Sequence, residues 1–274
     1  MAELDDEVIE GLTRRARDEN GKSVLVPQDM TYTEWKEKYI NNKANTSTKS
    51  NSNDTINNKK IEETNEVLKR LKKSKIEYNL VQKLTKDLTN EEIIQKVSGG
   101  DKTKGSCSSV SFAYIANKNG LDVLDFRGGA SQDFFSTISN IYEIAKLPGV
   151  KSNIEENFND IMGTMNLLKT VEDGKEYYLA TGNHAAIIKK NEKCYQYLEL
   201  QSPKENGFKP LTSESLKKRF GCKQSHSVAG YKLKTKNILI DIDSLKGNSE
   251  FQEILGYINT LGTEQMRGVD GNEK

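Results

Sequence analysis

Cysteine and histidine are both scarce in this sequence, and their scarcity excludes several kinds of site. The 274 residues include three widely spaced cysteines and two histidines. An odd number of cysteines without a CxxC pair argues against a disulfide framework and against a structural zinc site, and it indicates synthesis in a reducing compartment. We therefore expect the protein to work without a metal ion and without any other cofactor.

Long apolar runs and an imbalance of charge are also missing. No run approaches the roughly 18 apolar residues that a membrane span needs, and the acidic N-terminus lacks the basic and apolar regions of a Sec signal peptide. The 41 basic residues nearly balance the 40 acidic ones. Bulk electrostatics therefore predict neither a nucleic-acid partner nor a membrane partner.

The first part of the chain differs from the rest in composition. In residues 1–40, LDDEVIEGLTRRARDENG predicts a helix that ends at Gly21, SVLVP predicts an extended piece, and DMTYTEWKEKYI predicts a second helix. Residues 41–60 are rich in Asn, Ser, Thr and Lys and hold a single aliphatic residue. They predict a disordered linker, because burial there cannot offset the entropy lost on ordering.

Residues 61–245 carry the pattern of an α+β domain, with a mostly helical lead-in at 61–98 and a C-terminal helix and polar tail at 246–274. SCSSVSFAYIANKNG predicts a helix closed by Gly120, and SQDFFSTISNIYEIAKL predicts one helix capped by Ser131. KEYYLAT, HAAIIKK and CYQYLELQS predict consecutive strands of a half-buried sheet, and SVAGYKLK predicts one further strand. We therefore expect helices first and a small antiparallel sheet after them.

Cys107 opens one of these helices, directly after the glycine-containing stretch GGDKTKGS. Unpaired backbone N–H groups and the positive end of the helix dipole favour a thiolate at such a position. Gly105, Ser106 and Ser108 surround the cysteine and predict an oxyanion and substrate loop, since their backbone can approach a substrate closely. The pattern predicts a nucleophile, and the competing interpretation is a small buried apolar residue.

A cysteine nucleophile needs a base, and His184 begins a strand after the tight turn TGN. If this strand pairs with YQYLEL through a turn centred on NEK, His184 lies opposite Leu200, with Glu199 and Gln201 as neighbours. Glu199 favours the imidazolium by its charge, whereas Gln201 acts by hydrogen bonding only. The residues leave open which of the two completes a Cys-His-Glu/Gln triad, and whether His184 is simply a solvated histidine.

The order of these motifs resembles that of papain-fold domains at the C-termini of bacterial polymorphic toxins. GSCSSVSFAYIANKNGLDVLDF is similar to the cysteine helix and strand of that family, GNHAAII to its histidine strand, and YLELQS to the strand with an Asp-x-Gln pattern. The resemblance implies a papain-like fold, with Cys107 as nucleophile, His184 as base, Glu199 in place of the usual Asp, and Gln201 as the glutamine. It implies a peptidase, deamidase or transglutaminase-like enzyme that acts on a protein substrate.

The N-terminal block carries a second resemblance. RARDENGKSVLVPQDMTYTEWKEKYI resembles the end of phage Mu F-type head morphogenesis domains of minor head proteins. This implies that residues 1–40 are the tail of such a domain, that they contact the phage capsid or portal, and that the protein resides in the virion or the bacterial cytoplasm. A toxin domain also implies a separately encoded immunity protein as a partner. The alternative is a non-enzymatic virion protein, in which Cys107 packs far from His184 and faces no groove.

Overall fold

The chain divides into two units, residues 1–57 and 58–274, and each is described by itself. The computed structural model describes residues 13–17, 23–27, 66–98, 105–125, 129–192, 194–202 and 205–260.

In the first unit, the described residues form one antiparallel pair of strands. Strand β1 (Thr13–Arg17) pairs with β2 (Ser23–Pro27). The helix predicted over residues 4–21 is therefore wrong at β1, because this segment finds a strand partner in SVLVP, whose valines favour extended backbone. The second predicted helix and the predicted linker at 41–60 lie outside the described residues.

The second unit contains a helical layer built around one central helix. All ten residues of that helix from Ser108 to Asn117 are buried, which is typical of a helix packed on every side. No helix in the described part of the chain combines the length and the apolar character of a membrane span. Eight helices are described: α1 (Glu66–Lys73), α2 (Asn90–Val97), α3 (Cys107–Lys118), α4 (Ala130–Ser136), α5 (Ile138–Ala145), α6 (Asp160–Leu168), α7 (Ser213–Lys218) and α8 (Ser249–Ile258).

A six-stranded antiparallel sheet forms the other layer, in the order β5-β12-β6-β7-β8-β9. The chain is therefore α+β, as the sequence predicts. The strands of the sheet are β5 (Ser152–Asn157), β6 (Glu176–Thr181), β7 (His184–Asn191), β8 (Cys194–Glu199), β9 (Gly207–Pro210) and β12 (Thr235–Asp241). Two short pairs accompany it: β3 (Gln82–Lys83) with β4 (Leu121–Asp122), and β10 (His226–Val228) with β11 (Tyr231–Leu233).

The centre of the sheet is covered on both faces, which differs from the half-buried sheet predicted. All six residues of β6 are buried. Tyr178 belongs to the cluster on the α3 side, where it stacks on Phe112 with ring centroids 4.7 Å apart. Its neighbour Leu179 belongs to a second cluster, together with Phe220 beyond the end of α7. Strand residues therefore alternate between two apolar clusters rather than between core and water.

Several helix boundaries differ from the sequence prediction for local reasons. The predicted single helix over SQDFFSTISNIYEIAKL is two helices, α4 and α5, which meet at the extended Thr137. Ser131 is not a cap, because its hydroxyl donates to the Tyr257 carbonyl at 2.8 Å. Beyond α1, residues 74–81 are not helical. In this segment the side-chain amide of Asn79 donates to the Asn259 carbonyl, next to α8. Thr89 caps α2 with a capping box, in which its hydroxyl accepts from the Glu92 N–H.

The strands also differ from the sequence prediction in two places. SVAGYKLK forms a hairpin rather than one strand, since Ala229 and Gly230 both adopt positive φ, at 50° and 84°, between β10 and β11. Two such residues match the turn that two-residue hairpins prefer. Strand β5 was not predicted, and it pairs with β12 at one edge of the sheet.

Gly182, in the turn between β6 and β7, provides a test of the backbone that carries His184. It has φ +57°, and a Cβ there would lie 2.4 Å from the Phe220 carbonyl oxygen. We predict that Gly182→Ala lowers the free energy of unfolding by about 3 kcal/mol or more, because strain and a backbone clash add. Chemical denaturation measures the loss.

The matched control is Gly120→Ala. Gly120 has φ +81°, but a Cβ there would meet nothing within 4 Å. Backbone strain alone predicts a loss of about 1 kcal/mol. Equal losses in the two variants would contradict the close approach at Gly182.

Candidate active site

The candidate site begins at the first turn of α3. Cys107 is the first residue of this helix, and Gly105 precedes it with φ +89°. A Cβ on Gly105 would lie 2.8 Å from Nε2 of Gln132, so a glycine fits the close packing of the loop against α4. Ser106 is buried, and its carbonyl accepts the Val110 N–H at 2.8 Å. The buried body of α3 thus fixes Cys107 where the helix emerges beside the sheet.

The sulfur of Cys107 is seated against strand β7. The backbone N–H groups of Ala185 and of Ser108 lie close enough to the sulfur to lower the pKa of the Cys107 thiol. Strands β7 and β8 are paired from Asn191–Cys194 to Ile188–Tyr197. On the His184 side of Ile188, the two strands are no longer paired. Ala185, next in the chain to His184, pairs with Ala180 of β6 but has no partner among the described pairs of β7 with β8.

A pocket of about 730 Å³ opens at this place. Of the three residues predicted to form an oxyanion and substrate loop, Gly105 and Ser108 line this pocket and Ser106 does not. Further walls come from Ile138 of α5, from Asn183 in the β6–β7 turn and from Arg219 after α7. The predicted site residues that line the pocket are Gly105, Cys107, Ser108, His184, Glu199 and Gln201.

His184 is held by an aromatic contact at the start of β7. Its ring packs edge-on against Phe220, with centroids 5.0 Å apart, and the residue is 9% exposed. Burial, together with the positive charge of Arg219, lowers the pKa of His184 to about 3, although the negative charge of Glu199 opposes this shift. The imidazole is therefore neutral at pH 7, with a free nitrogen to accept a proton.

Glu199 forms an ion pair with Arg219, a residue that the sequence did not indicate as part of the site. Arg219 Nε donates to Oε2 of Glu199 at 2.5 Å, and Nη2 donates to Oε1 at 2.7 Å. Glu199 is only 5% exposed, and this ion pair holds its pKa below the usual value although burial alone would raise it. No spacing signal in the sequence links these two residues, because their contact depends on how α7 packs beside β8.

The predicted role of Glu199 or Gln201 as the residue that orients His184 differs from the observed contacts. Among the described residues, the His184 ring takes part in no hydrogen bond, and the Gln201 N–H donates to Oε1 of Glu199 at 2.9 Å. The observed pairing of β7 and β8 extrapolates to Gln201, not Leu200, at the level of His184. The predicted turn NEK holds three residues, whereas only two residues separate the paired Asn191 and Cys194. This shorter turn shifts the register of the two strands by one residue.

The protonation state of Cys107 differs from the prediction: its place at a helix N-terminus predicts a thiolate, whereas its pKa is raised. Burial raises the pKa of the Cys107 thiol, and the Ala185 and Ser108 N–H groups and the charge of Arg219 offset this only in part. Desolvation of the charged form therefore outweighs the helix dipole. The site at rest pairs a neutral thiol with a neutral imidazole.

Comparisons with protein-family models, with curated proteins and with solved structures find no match to this chain. Within the described residues, no group of three or more His, Cys, Asp or Glu side chains is arranged to hold a metal ion. The residues of the pocket are therefore the basis for any functional conclusion.

The lowered pKa of His184 predicts how stability depends on pH. Between the ordinary histidine value of 6.5 and about 3, the unfolded chain binds a proton at residue 184 that the folded chain excludes. Stability must therefore fall as the pH falls through this window. Denaturation at pH 7 and at pH 5 should show a smaller fall for His184→Gln than for the wild type. An identical fall in both proteins would contradict the neutral, buried imidazole.

The Glu199–Arg219 pair predicts a second effect on stability. Arg219→Met leaves a buried carboxylate without its partner and should cost about 2 kcal/mol, a figure reduced from that of a fully buried pair because Arg219 is partly exposed. The neighbouring Lys218→Met is a matched control. Lys218 and Glu214 have side chains 78% and 72% exposed, so its cost should stay below about 0.5 kcal/mol. Comparable losses in urea denaturation would refute the buried ion pair.

Proposed function

We propose that the protein is a papain-like cysteine enzyme that cleaves or transfers acyl groups at amide bonds. The observation that carries the proposal is the placement of Cys107 and His184 in one pocket, where the backbone N–H of the residue after His184 lowers the pKa of the Cys107 thiol. A nucleophile and a base brought together at the end of a buried helix are the minimum for covalent amide chemistry. The α+β architecture, with the cysteine helix against an antiparallel sheet, agrees with a papain-like fold.

The neutral pair sets the order of proton transfers. As Sγ of Cys107 attacks the substrate carbonyl carbon, His184 accepts the thiol proton and the carbonyl π electrons move to the oxygen. The tetrahedral intermediate then breaks its C–N bond, and His184 returns the proton to the departing amine or ammonia. Water, deprotonated by His184, next attacks the thioester, which releases the acid and restores the thiol. An amine in place of water gives acyl transfer.

Charge that develops in this reaction meets two kinds of stabilising group. The Ser108 and Ala185 N–H groups, which lower the pKa of the Cys107 thiol, lie beside the sulfur, where they are available to an oxyanion as the sulfur moves toward the carbon. The Arg219 cation acts on the charge of Cys107 and of His184. Arg219 therefore favours negative charge on sulfur or oxygen and disfavours a lasting imidazolium, which promotes return of the proton to the leaving group.

The biological setting in this proposal follows from the resemblances in the sequence. The enzyme domain is a phage-encoded toxin or effector domain joined to the end of a head-morphogenesis domain of a minor head protein. Its partners are then a protein substrate, the capsid or portal, and an immunity protein. The non-enzymatic alternative, a virion structural protein, predicted a Cys107 remote from His184 without a groove, and the shared pocket favours the enzyme.

A substrate-independent probe tests the enzyme proposal. p-Nitrophenyl acetate should acetylate Cys107, as peptide mass mapping detects, and release nitrophenol with turnover. Cys107→Ser should abolish the turnover, and His184→Gln should slow it about a hundredfold, the usual contribution of a general base. Cys194→Ser is the control, because Cys194 is an exposed thiol away from the pocket. Unchanged turnover in Cys107→Ser would leave the structural-protein alternative in place.

A further inference from the structure

The hairpin of β10 and β11 lies outside the pocket and is anchored at its base. The Lys223 N–H donates to Oδ2 of Asp160 at 2.9 Å, and Nε2 of His226 lies 2.7 Å from the same oxygen. The Thr235 hydroxyl donates to the other oxygen of Asp160. Asp160 is fully buried at the start of α6. The base of the hairpin is therefore fixed, while residues 227–234 are exposed.

One face of this hairpin is apolar and in contact with solvent. The register places Val228 opposite Tyr231 and His226 opposite Leu233, so these four side chains share a face. Val228, Tyr231 and Leu233 are 64%, 76% and 43% exposed. Grouped apolar side chains that remain exposed on a folded surface mark a site of interaction, whereas scattered ones need no explanation.

The same hairpin also carries lysines: Lys232 lies on the opposite face by the same register, and Lys234 interacts with the charge of Glu156 and lies 5.5 Å from the centre of the Phe158 ring. No Asp or Glu occurs from residue 215 to residue 240. Lys223, Lys232 and Lys234 lie within or beside the hairpin, and in the described part of the chain none of the three forms an ion pair. Because the chain as a whole is nearly neutral, with a formal charge of +1, this is a local concentration of charge.

The hairpin also lies beside the candidate active site in the chain and in space. The Asn183 N–H, at the wall of the pocket, donates to the Phe220 carbonyl at 2.7 Å. The backbone at Cys222 packs against Gly182 in the same turn, and the hairpin base begins at the next residue. The segment that leads into the hairpin therefore packs on the β6–β7 turn, which forms part of the wall of the pocket.

We propose that the β10–β11 hairpin binds an acidic segment of a partner protein that also supplies apolar side chains. The lysines attract and orient the acidic segment, and Val228, Tyr231 and Leu233 provide the apolar area that holds it. A protein fits better than a nucleic acid, because the hairpin offers two aliphatic side chains, no arginine and one aromatic ring for base stacking. The proposal does not depend on the enzymatic role of Cys107.

Binding of a copolymer of glutamate and tyrosine to the full chain, measured by isothermal titration calorimetry, tests this surface. Val228→Ser combined with Tyr231→Ser should raise the Kd about tenfold, and Lys232→Glu combined with Lys234→Glu should raise it at least as much at low salt. The control combines Leu80→Ser with Lys83→Glu, which are exposed on another segment and should leave the Kd unchanged. Cys107→Ser should bind the copolymer as the wild type does.

Three results would overturn the proposal. The first is that the copolymer fails to bind, and the second is that the control weakens binding as much as the hairpin variants. The third is tighter binding to a single-stranded oligonucleotide or to phosphatidylserine vesicles, lost in the hairpin variants, since this would assign the surface to another class of partner. Thermal unfolding of every variant verifies that the exposed substitutions leave the fold intact.

Discussion

Glu199 binds Arg219 with both carboxylate oxygens at the end of the sheet, and the chemistry of the pocket depends on this ion pair. A free carboxylate beside His184 would raise the pKa of the imidazole and favour a charged Cys-His pair. With Arg219 attached, the two charges oppose each other at His184, and burial decides the outcome. The result is a neutral thiol and a neutral imidazole, which in the proposed enzyme would react only when a substrate carbonyl accepts the electron pair of the sulfur.

The second constraint is geometric and comes from the parting of β7 and β8. Their ladder ends at Ile188–Tyr197, and beyond this point the backbone N–H of Ala185 lies close enough to Cys107 to lower the pKa of its thiol. The same opening forms the pocket. The break in strand pairing thus lies where Cys107, Ala185 and His184 come together at the pocket.

The sequence predicted the parts of this site that local signals specify. A glycine-bounded helix start identifies Cys107, and a tight turn before a strand identifies His184. Arg219 could not be predicted, because its contact with Glu199 depends on the packing of α7, and the role given to Glu199 was affected by a one-residue difference in register. In the fold, the strands β6, β7 and β8 and the helix α3 follow their periodicity, whereas β1 and β5 are strands that formed because another segment of the chain pairs with them.

The protonation state of Cys107 at rest is the central claim, and its alkylation rate tests it most directly. The rate of iodoacetamide addition at Cys107, followed by peptide mass mapping from pH 5 to pH 10, reports the thiolate fraction. The neutral pair predicts a rate that rises only toward the alkaline end, because burial raises the pKa of the thiol. A high plateau between pH 5 and pH 8 that disappears in His184→Gln would show a thiolate–imidazolium pair and contradict the account.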